Sequence, residues 1–146
     1  MLRTRSAWSG ILIGIGVAGF VDETVFHQLL HWHHFYDKST PAVGLVSDGL
    51  FHAFSWFAVV IGLTMVADLC RRAGLSGRAL MGGALLGAGA FQLYDGIVQH
   101  KLMRLHQIRY HVDLVRYDWT WNIVALVLLV AGALLLHGTR ARDTGK

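Results

Sequence analysis

Four long apolar stretches place the main constraint on how this chain folds. They cover about residues 8–33, 42–68, 79–105 and 117–137. Each is long enough to cross a hydrocarbon core of about 30 Å, which takes roughly 20 residues of helix. Only 15% of the residues are charged and 54% are hydrophobic, a balance unlike that of soluble domains. The sequence therefore predicts an all-α integral membrane protein with four transmembrane helices.

The segments between these stretches carry residues that are typical of helix ends. Thr40 followed by Pro41 indicates a cap and a first helical turn, so the second helix is predicted to begin there. A polar turn rich in Arg, Gly and Ser over residues 71–78 separates the second helix from the third. The apolar stretch after Arg3 and Arg5 runs on without a small-residue cleavage site, so we expect the first helix to be retained.

Lysine and arginine are distributed unequally between the two ends of the predicted helices. Eight lie at one end: Arg3, Arg5, Arg71, Arg72, Arg78, Arg140, Arg142 and Lys146. Five lie at the other: Lys38, Lys101, Arg104, Arg109 and Arg116. The positive-inside rule then places both termini and the middle turn in the cytoplasm. The loops near residues 34–41 and 106–116 are predicted to face outward.

The two halves of the chain share a pattern, G-x3-G-x-G-x5-D-x4-H-x5-H. A shift of 73 residues, half of the 146-residue chain, superposes the two copies. The matched pairs are Gly10 and Gly83, Gly14 and Gly87, Gly16 and Gly89, Asp22 and Asp95, His27 and His100, and His33 and His106. A slightly shorter shift places Asp48 and His52 on Asp118 and Asn122.

This pattern predicts a tandem duplication of a two-helix hairpin. Repeat one covers about residues 7–70 and repeat two about 79–138, within a single membrane domain over 1–146. Two hairpins of equal orientation imply a pseudo-two-fold axis along the membrane normal. The glycines at 10, 14, 83 and 87 are predicted to be helix-packing positions, because small residues let backbones approach closely.

Helical spacing indicates which polar side chains can meet. At about 100° per residue, Asp22 and His33 share one face but lie three turns apart, so their joint ligation of one ion is not expected. Asp22 and Asp95 are therefore predicted to orient imidazoles. Asp48 and His52 are four residues apart, a spacing that suits two ligands of one ion.

The acids and histidines allow two interpretations, a structural polar network or a metal site. An aspartate in a bilayer costs at least about 2.5 to 3.5 kcal/mol, and bound cations would neutralise several of them together. Imidazole with carboxylate suits zinc, copper(II), iron or manganese. The predicted ligands are His27, His33, Asp48, His52, His100, His106 and Asp118. The predicted supporting or additional ligands are Asp22, Asp95, Asn122, Glu23, His31 and His34.

The blocks DETVFHQLLHWHH, SDGLFHAF, FQLYDGIVQHKLMRLHQIRY and DLVRYDWTWN resemble a family of small bacterial four-helix predicted membrane proteins of unknown function. The likeness covers about residues 10–136. It implies a multi-pass protein of the bacterial inner membrane but no activity. In that family the first block usually begins Asp-Gly and has a glutamine near the position of His31. Glu23 and His31 depart from this pattern, which makes them weaker candidates.

Three functions remain open on the sequence alone. The first is a metalloenzyme with a mononuclear or dinuclear His/Asp site near the outer face, either redox or hydrolytic. The second is copper or zinc handling for the assembly of a respiratory oxidase. The third is a b-type haem protein with His27 and His100 as axial ligands. Copper or zinc is the preferred ion, with iron as an alternative. Partners would be the bilayer and either a second copy or a respiratory-chain protein, but not nucleic acid.

Overall fold

The computed structural model describes the backbone of residues 1–144 and the side chains of residues 1–138. Four α-helices make up most of it: α1 (Leu2–Asp22), α2 (Pro41–Arg71), α3 (Gly77–Tyr94) and α4 (Leu114–Thr144). α1 continues into the π-helical segment π1 (Glu23–Leu29), and α3 continues into π2 (Asp95–Leu102). The predicted all-α class is confirmed for the described residues.

Three helical units are long and apolar enough to cross a membrane: Leu2–Leu29, Pro41–Arg71 and Leu114–Gly138. The unit formed by α3 and π2 does not reach the hydropathy of these three spans. Its many glycines and its polar side chains, such as Gln92, Asp95 and Lys101, lower its hydropathy. The third transmembrane span therefore stays a prediction.

The helices pack in the order α2, α1, α3, α4, with α1 and α3 forming the most extensive contact. Glycines make that contact possible. A Cβ atom at Gly10 would overlap the carbonyl oxygen of Leu80, and one at Gly14 would overlap that of Ala84. A Cβ at Gly87 would overlap the carbonyl oxygen of Ile11 in the same way. The predicted packing role of these glycines is confirmed, because the two backbones touch directly.

The predicted start of α2 is confirmed by its cap. The Thr40 side chain accepts a hydrogen bond from the Val43 N–H, and Pro41 occupies the first turn of α2. Ser76 caps α3 in the same way. At the end of the molecule where Ser76 lies, Asp68 of α2 pairs with Arg5 of α1. The predicted cations Arg140, Arg142 and Lys146 lie outside the residues whose side chains are described.

Two predicted helix ends are wrong. The first helix was expected to reach residue 33 and the third residue 105, but they end at Leu29 and Leu102. The reason is a reversal of the chain, because His31 has φ 49° and Arg104 has φ 51°. A residue in this left-handed conformation cannot continue a right-handed helix. Both reversals occur at the end of the molecule where the predicted site lies.

Candidate metal centre

The same local fold closes π1 and π2. In π1 the N–H of Leu30 bonds to the carbonyl of Val25 at 2.9 Å, and that of Trp32 to Phe26 at 2.9 Å. The corresponding bonds after π2 join Met103 to Val98 at 2.7 Å and Leu105 to Gln99 at 2.9 Å. Each reversal turns the chain back toward the segment it has just left. His33 thereby returns beside His27, and His106 beside His100.

The first cluster of potential ligands consists of Asp22, His27 and His33. All three are buried, and each offers a ligand atom within 4.8 Å of the other two. His27 Nε2 lies 3.9 Å from Asp22 Oδ2. The expectation that Asp22 and His33 lie too far apart to hold one ion is therefore wrong, because it assumed an unbroken α-helix through residue 33.

The second cluster consists of Asp95, His100 and His106, again buried and with ligand atoms within 4.8 Å of one another. His100 Nε2 lies 3.1 Å from Asp95 Oδ2, and His106 Nε2 lies 3.6 Å from Asp95 Oδ1. The two Nε2 atoms are 3.1 Å apart. Two imidazoles and one carboxylate thus converge on a single region.

The two clusters are in contact with each other. The rings of His33 and His106 stack with centroids 4.4 Å apart and an interplanar angle of 4°. The His27 and His106 rings lie 6.0 Å apart, and the His33 and His100 rings 6.2 Å apart. The four imidazoles and two aspartates therefore form one buried centre with contributions from both halves of the chain.

Hydrogen bonds orient two of these imidazoles so that Nε2 presents a lone pair. His106 Nδ1 lies 2.9 Å from the Phe35 carbonyl oxygen, which can only accept, so Nδ1 carries the proton. His27 Nδ1 donates to Asp48 Oδ1 at 3.1 Å and lies 2.9 Å from Glu23 Oε2. His27 Nε2 has no hydrogen-bond partner among the described residues. A carboxylate or carbonyl behind the imidazole is the usual environment of a metal-binding histidine.

Asp48 serves as a hub behind the first cluster. It accepts hydrogen bonds from the Phe35 N–H at 2.7 Å and from His34 Nδ1 at 2.6 Å, in addition to that from His27. Glu23, His27 and Asp48 also offer ligand atoms within 4.8 Å of one another. Because Asp48 already accepts three hydrogen bonds, the geometry favours an orienting role over the ligand role predicted from the sequence.

His33 lies in the loop beyond π1, outside the membrane-spanning helices. Burial, together with neighbouring imidazoles such as that of His106, lowers the pKa of His33 from 6.5 to about 2. The ring is therefore neutral at physiological pH and keeps a lone pair for a metal. Its Nδ1 has no hydrogen-bond partner in the described part of the chain.

The structure does not bring all of the predicted residues into the centre. His52 is exposed on α2 and contacts the Phe20 ring at 5.2 Å. Asp118 pairs with Lys101 at 2.5 Å, and Asn122 Nδ2 donates to the backbone oxygen of Asp118. His31 is exposed at the chain reversal. None of these four residues belongs to either ligand cluster. His34 contacts the first cluster through Asp48.

The surroundings of the two clusters differ. Glu23 corresponds to Gly96 in the second half, and the Trp121 ring lies against Gly96, where a Cβ would approach its Cδ1 to 2.7 Å. Neither His100 Nδ1 nor Asn122 Oδ1 has a hydrogen-bond partner within the described residues. His100 therefore lacks the carboxylates that stand behind His27.

Two hydrogen bonds of the centre could not be predicted from the spacing of residues in the sequence. The Phe35 carbonyl that orients His106 belongs to the backbone of the first loop and acts on the second half of the chain. His34 was predicted as a supporting or additional ligand, but nothing in its spacing indicated that it bonds to Asp48, fourteen positions along the chain. The first contact depends on how the two loops fold against each other, and the second on how the first loop folds against α2.

The chain matches, over residues 9–139, the sequence family described as "Predicted membrane protein (DUF2243)". It belongs to the DUF2243 family. The resemblance noted in the sequence is thereby confirmed, and with it the membrane character of the helices. No curated protein and no solved structure matches the chain. The function of this DUF2243 protein therefore has to be argued from the geometry of its buried centre.

Proposed function

We propose that this protein is an integral membrane metalloprotein that holds two transition-metal ions side by side near the outer face. One ion is bound by Asp22, His27 and His33, and the other by Asp95, His100 and His106. The observation that carries the proposal is that two buried sets of ligand atoms meet in one centre. Within each set, the ligand atoms lie within 4.8 Å of one another. The same chain reversal builds both sets.

The charge of the centre supports bound cations. Four carboxylates are buried there: Asp22, Glu23, Asp48 and Asp95. Within the described side chains, histidines are the only groups that form ion pairs with these four. A buried carboxylate is stable only when a counter-charge or a metal compensates it. Two divalent ions would supply four positive charges, equal to the charge of the four carboxylates.

The donor set indicates the chemistry. Two imidazoles and one carboxylate per ion leave coordination positions open, as in catalytic zinc sites and in non-haem iron sites. This set favours zinc or iron(II), and copper(II) is compatible with it. An ion with an open position can lower the pKa of bound water or cycle between redox states. The proposed reaction class is accordingly hydrolytic or redox, at a dinuclear site.

We also propose that the protein arose by tandem duplication of a two-helix hairpin and spans the membrane four times with both termini in the cytoplasm. Support comes from hydrogen bonds and chain reversals that recur after a shift of 73 residues, as in Trp32 to Phe26 and Leu105 to Gln99. The glycine contacts between α1 and α3 recur with the same shift. Two hairpins related in this way would place the two ions about a pseudo-two-fold axis.

Metal handling is a second candidate, and a cavity favours it. A cavity of about 400 Å³ is lined by Glu23, Gln28 and His52. It extends from the exposed His52 to the buried Glu23, whose carboxylate lies 2.9 Å from His27 Nδ1. Such a cavity offers a path along which copper or zinc could be exchanged with a partner protein.

The haem alternative is less well supported. Contacting imidazoles of the four histidines have ring centroids 4.4 to 6.2 Å apart, and they fill the space where a porphyrin would have to lie.

Elemental analysis of protein purified without chelator tests the proposal. We expect about two transition-metal ions per chain and no Soret band. His33→Ala should lower the metal content, whereas His31→Asn should leave it unchanged, because His31 is exposed and asparagine tolerates its positive φ. Slow release to chelator would favour the enzyme, and rapid release would favour metal handling. Wild-type protein without metal, or equal metal in both variants, would contradict the proposal.

A further inference from the structure

The two halves of the centre differ in the number of buried carboxylates beside their histidines. In the first half, three carboxylates lie 2.9 to 3.9 Å from His27, those of Glu23, Asp48 and Asp22. In the second half, within the described side chains, the one carboxylate that pairs with His100 and His106 is that of Asp95. The first half therefore has three negative charges where the second has one.

The first carboxylate without a counterpart is that of Glu23. Its Oε1 accepts a hydrogen bond from Gln28 Nε2 at 2.8 Å, and its Oε2 faces His27 Nδ1. The residue 73 positions later is Gly96, which leaves room for the Trp121 ring. A Cβ at Gly96 would approach Trp121 Cδ1 to 2.7 Å, so a carboxylate side chain does not fit there.

The second carboxylate without an equivalent is that of Asp48. It turns toward the centre and accepts a hydrogen bond from His27. Asp118, the matching aspartate in the sequence, pairs with Lys101, its one ion-pair partner within the described side chains. The position that corresponds to Lys101 in the first half is the neutral Gln28. The second half thus lacks a negative charge beside its histidines and has an additional cation close by.

The ligand atoms themselves are of the same kind in both halves. In each half one imidazole lacks a hydrogen-bond partner at Nδ1 among the described residues, namely His33 and His100. The other imidazole is oriented in each case. His106 Nδ1 donates to the neutral Phe35 carbonyl, whereas His27 Nδ1 donates to a carboxylate. An anionic partner raises the basicity of the imidazole and so strengthens its bond to a metal.

We propose that the two ions are held with unequal affinity, so that the ion of the first half stays bound while the ion of the second half exchanges. This inference rests on the proposed metal function and goes beyond it. Each additional buried carboxylate attracts a divalent cation strongly, because the effective dielectric constant of the interior is low. His34 can cancel at most one of these charges through its bond to Asp48, so the first half stays the more negative. Any step that delivers or removes an ion then acts on the second half.

Zinc binding to variants that keep one complete half measures the two affinities separately. Asp95→Asn with His106→Ala keeps the first half, and Asp22→Asn with His33→Ala keeps the second. Competition with a chromophoric chelator should give a dissociation constant at least about tenfold lower for the first half, the lower limit for one partner of a metal-binding histidine. Glu23→Gln should raise the first constant about tenfold and leave the second unchanged.

Release of zinc from the intact site covers the case in which the double variants fail to fold. Wild-type protein loaded with two zinc ions should lose one ion to EDTA rapidly and the other slowly. Asp48→Asn should accelerate the slow phase alone. Asp118→Asn is the matched control and should leave both phases unchanged, because Asp118 pairs with Lys101. A merely structural role of Asp48 would alter both phases, since the two clusters are in contact.

Three results would overturn this inference and keep the metal function: equal affinities in the two halves, tighter binding by the second half, or a slow phase that Asp48→Asn does not change. Protein that binds no metal ion would overturn the proposed function as well. The two failures are therefore distinguished by the number of bound ions in the wild type.

Discussion

At the scale of single residues, the orientation of His27 depends on two carboxylates that stand behind it. Its Nδ1 donates to Asp48 and lies 2.9 Å from Glu23, so its Nε2 faces Asp22. Hydrogen bonding of this kind fixes the tautomer and makes the imidazole a better electron donor to a metal. Glu23 and Asp48 are therefore expected to control metal affinity without binding the ion themselves.

Neutralising either carboxylate should weaken metal binding. We expect Glu23→Gln or Asp48→Asn to raise the dissociation constant of the first ion by roughly 10- to 100-fold, the range found for partners of metal-binding histidines. Competition with a chromophoric chelator measures it. Asp68→Asn is the matched control, because Asp68 pairs with arginines at the opposite end of the helices. Unchanged affinity in both carboxylate variants would show that His27 does not bind metal through Nε2.

At the scale of elements, the sequence predicted what depends on local chemistry. The apolar stretches, the Thr40–Pro41 start of α2 and the polar turn before Ser76 could all be read from residue types. The π-helical segments could not, because the spacing argument assumed 100° per residue throughout. His33 and His106 could be chosen as candidates from the repeat, but their approach to Asp22 and Asp95 depends on chain reversals that lack a glycine signal.

The contact between α1 and α3 provides a prediction at this scale. Gly14→Ala should lower the unfolding temperature in detergent, because its Cβ would overlap the Ala84 carbonyl and overpacking costs about 1–3 kcal/mol. Gly49→Ala is the matched control. A Cβ there meets nothing within 4 Å, and alanine favours a helix by roughly 0.5–1 kcal/mol over glycine. Equal unfolding temperatures for the two variants would contradict the close packing of α1 on α3.

At the scale of the whole molecule, the site and the main cation clusters lie at opposite ends of the helices. π1, π2 and the loops at residues 30–40 and 103–113 form the site end. The opposite end carries Arg5, Arg71 and Arg72 around Asp68, and Cys70 lies exposed beside them. By the positive-inside rule, the site end is predicted to face outward.

Thiol labelling of intact cells tests this orientation, since Cys70 is the single cysteine of the chain. A membrane-impermeant maleimide should not label Cys70 until the cells are broken. In a Cys70→Ser background, Ser39→Cys should be labelled in intact cells, because Ser39 is exposed in the loop at the site end. The reverse pattern would place the metal centre on the cytoplasmic face.

The number of ions held by each half of the molecule tests the central claim most directly. Metal content is measured for the wild type and for two double variants, Asp22→Asn with His33→Ala and Asp95→Asn with His106→Ala. Two adjacent ions, one for each half, predict about two ions per chain in the wild type and about one in each double variant. A wild type with a single ion that either double variant abolishes would contradict the account, as would a wild type with no bound metal.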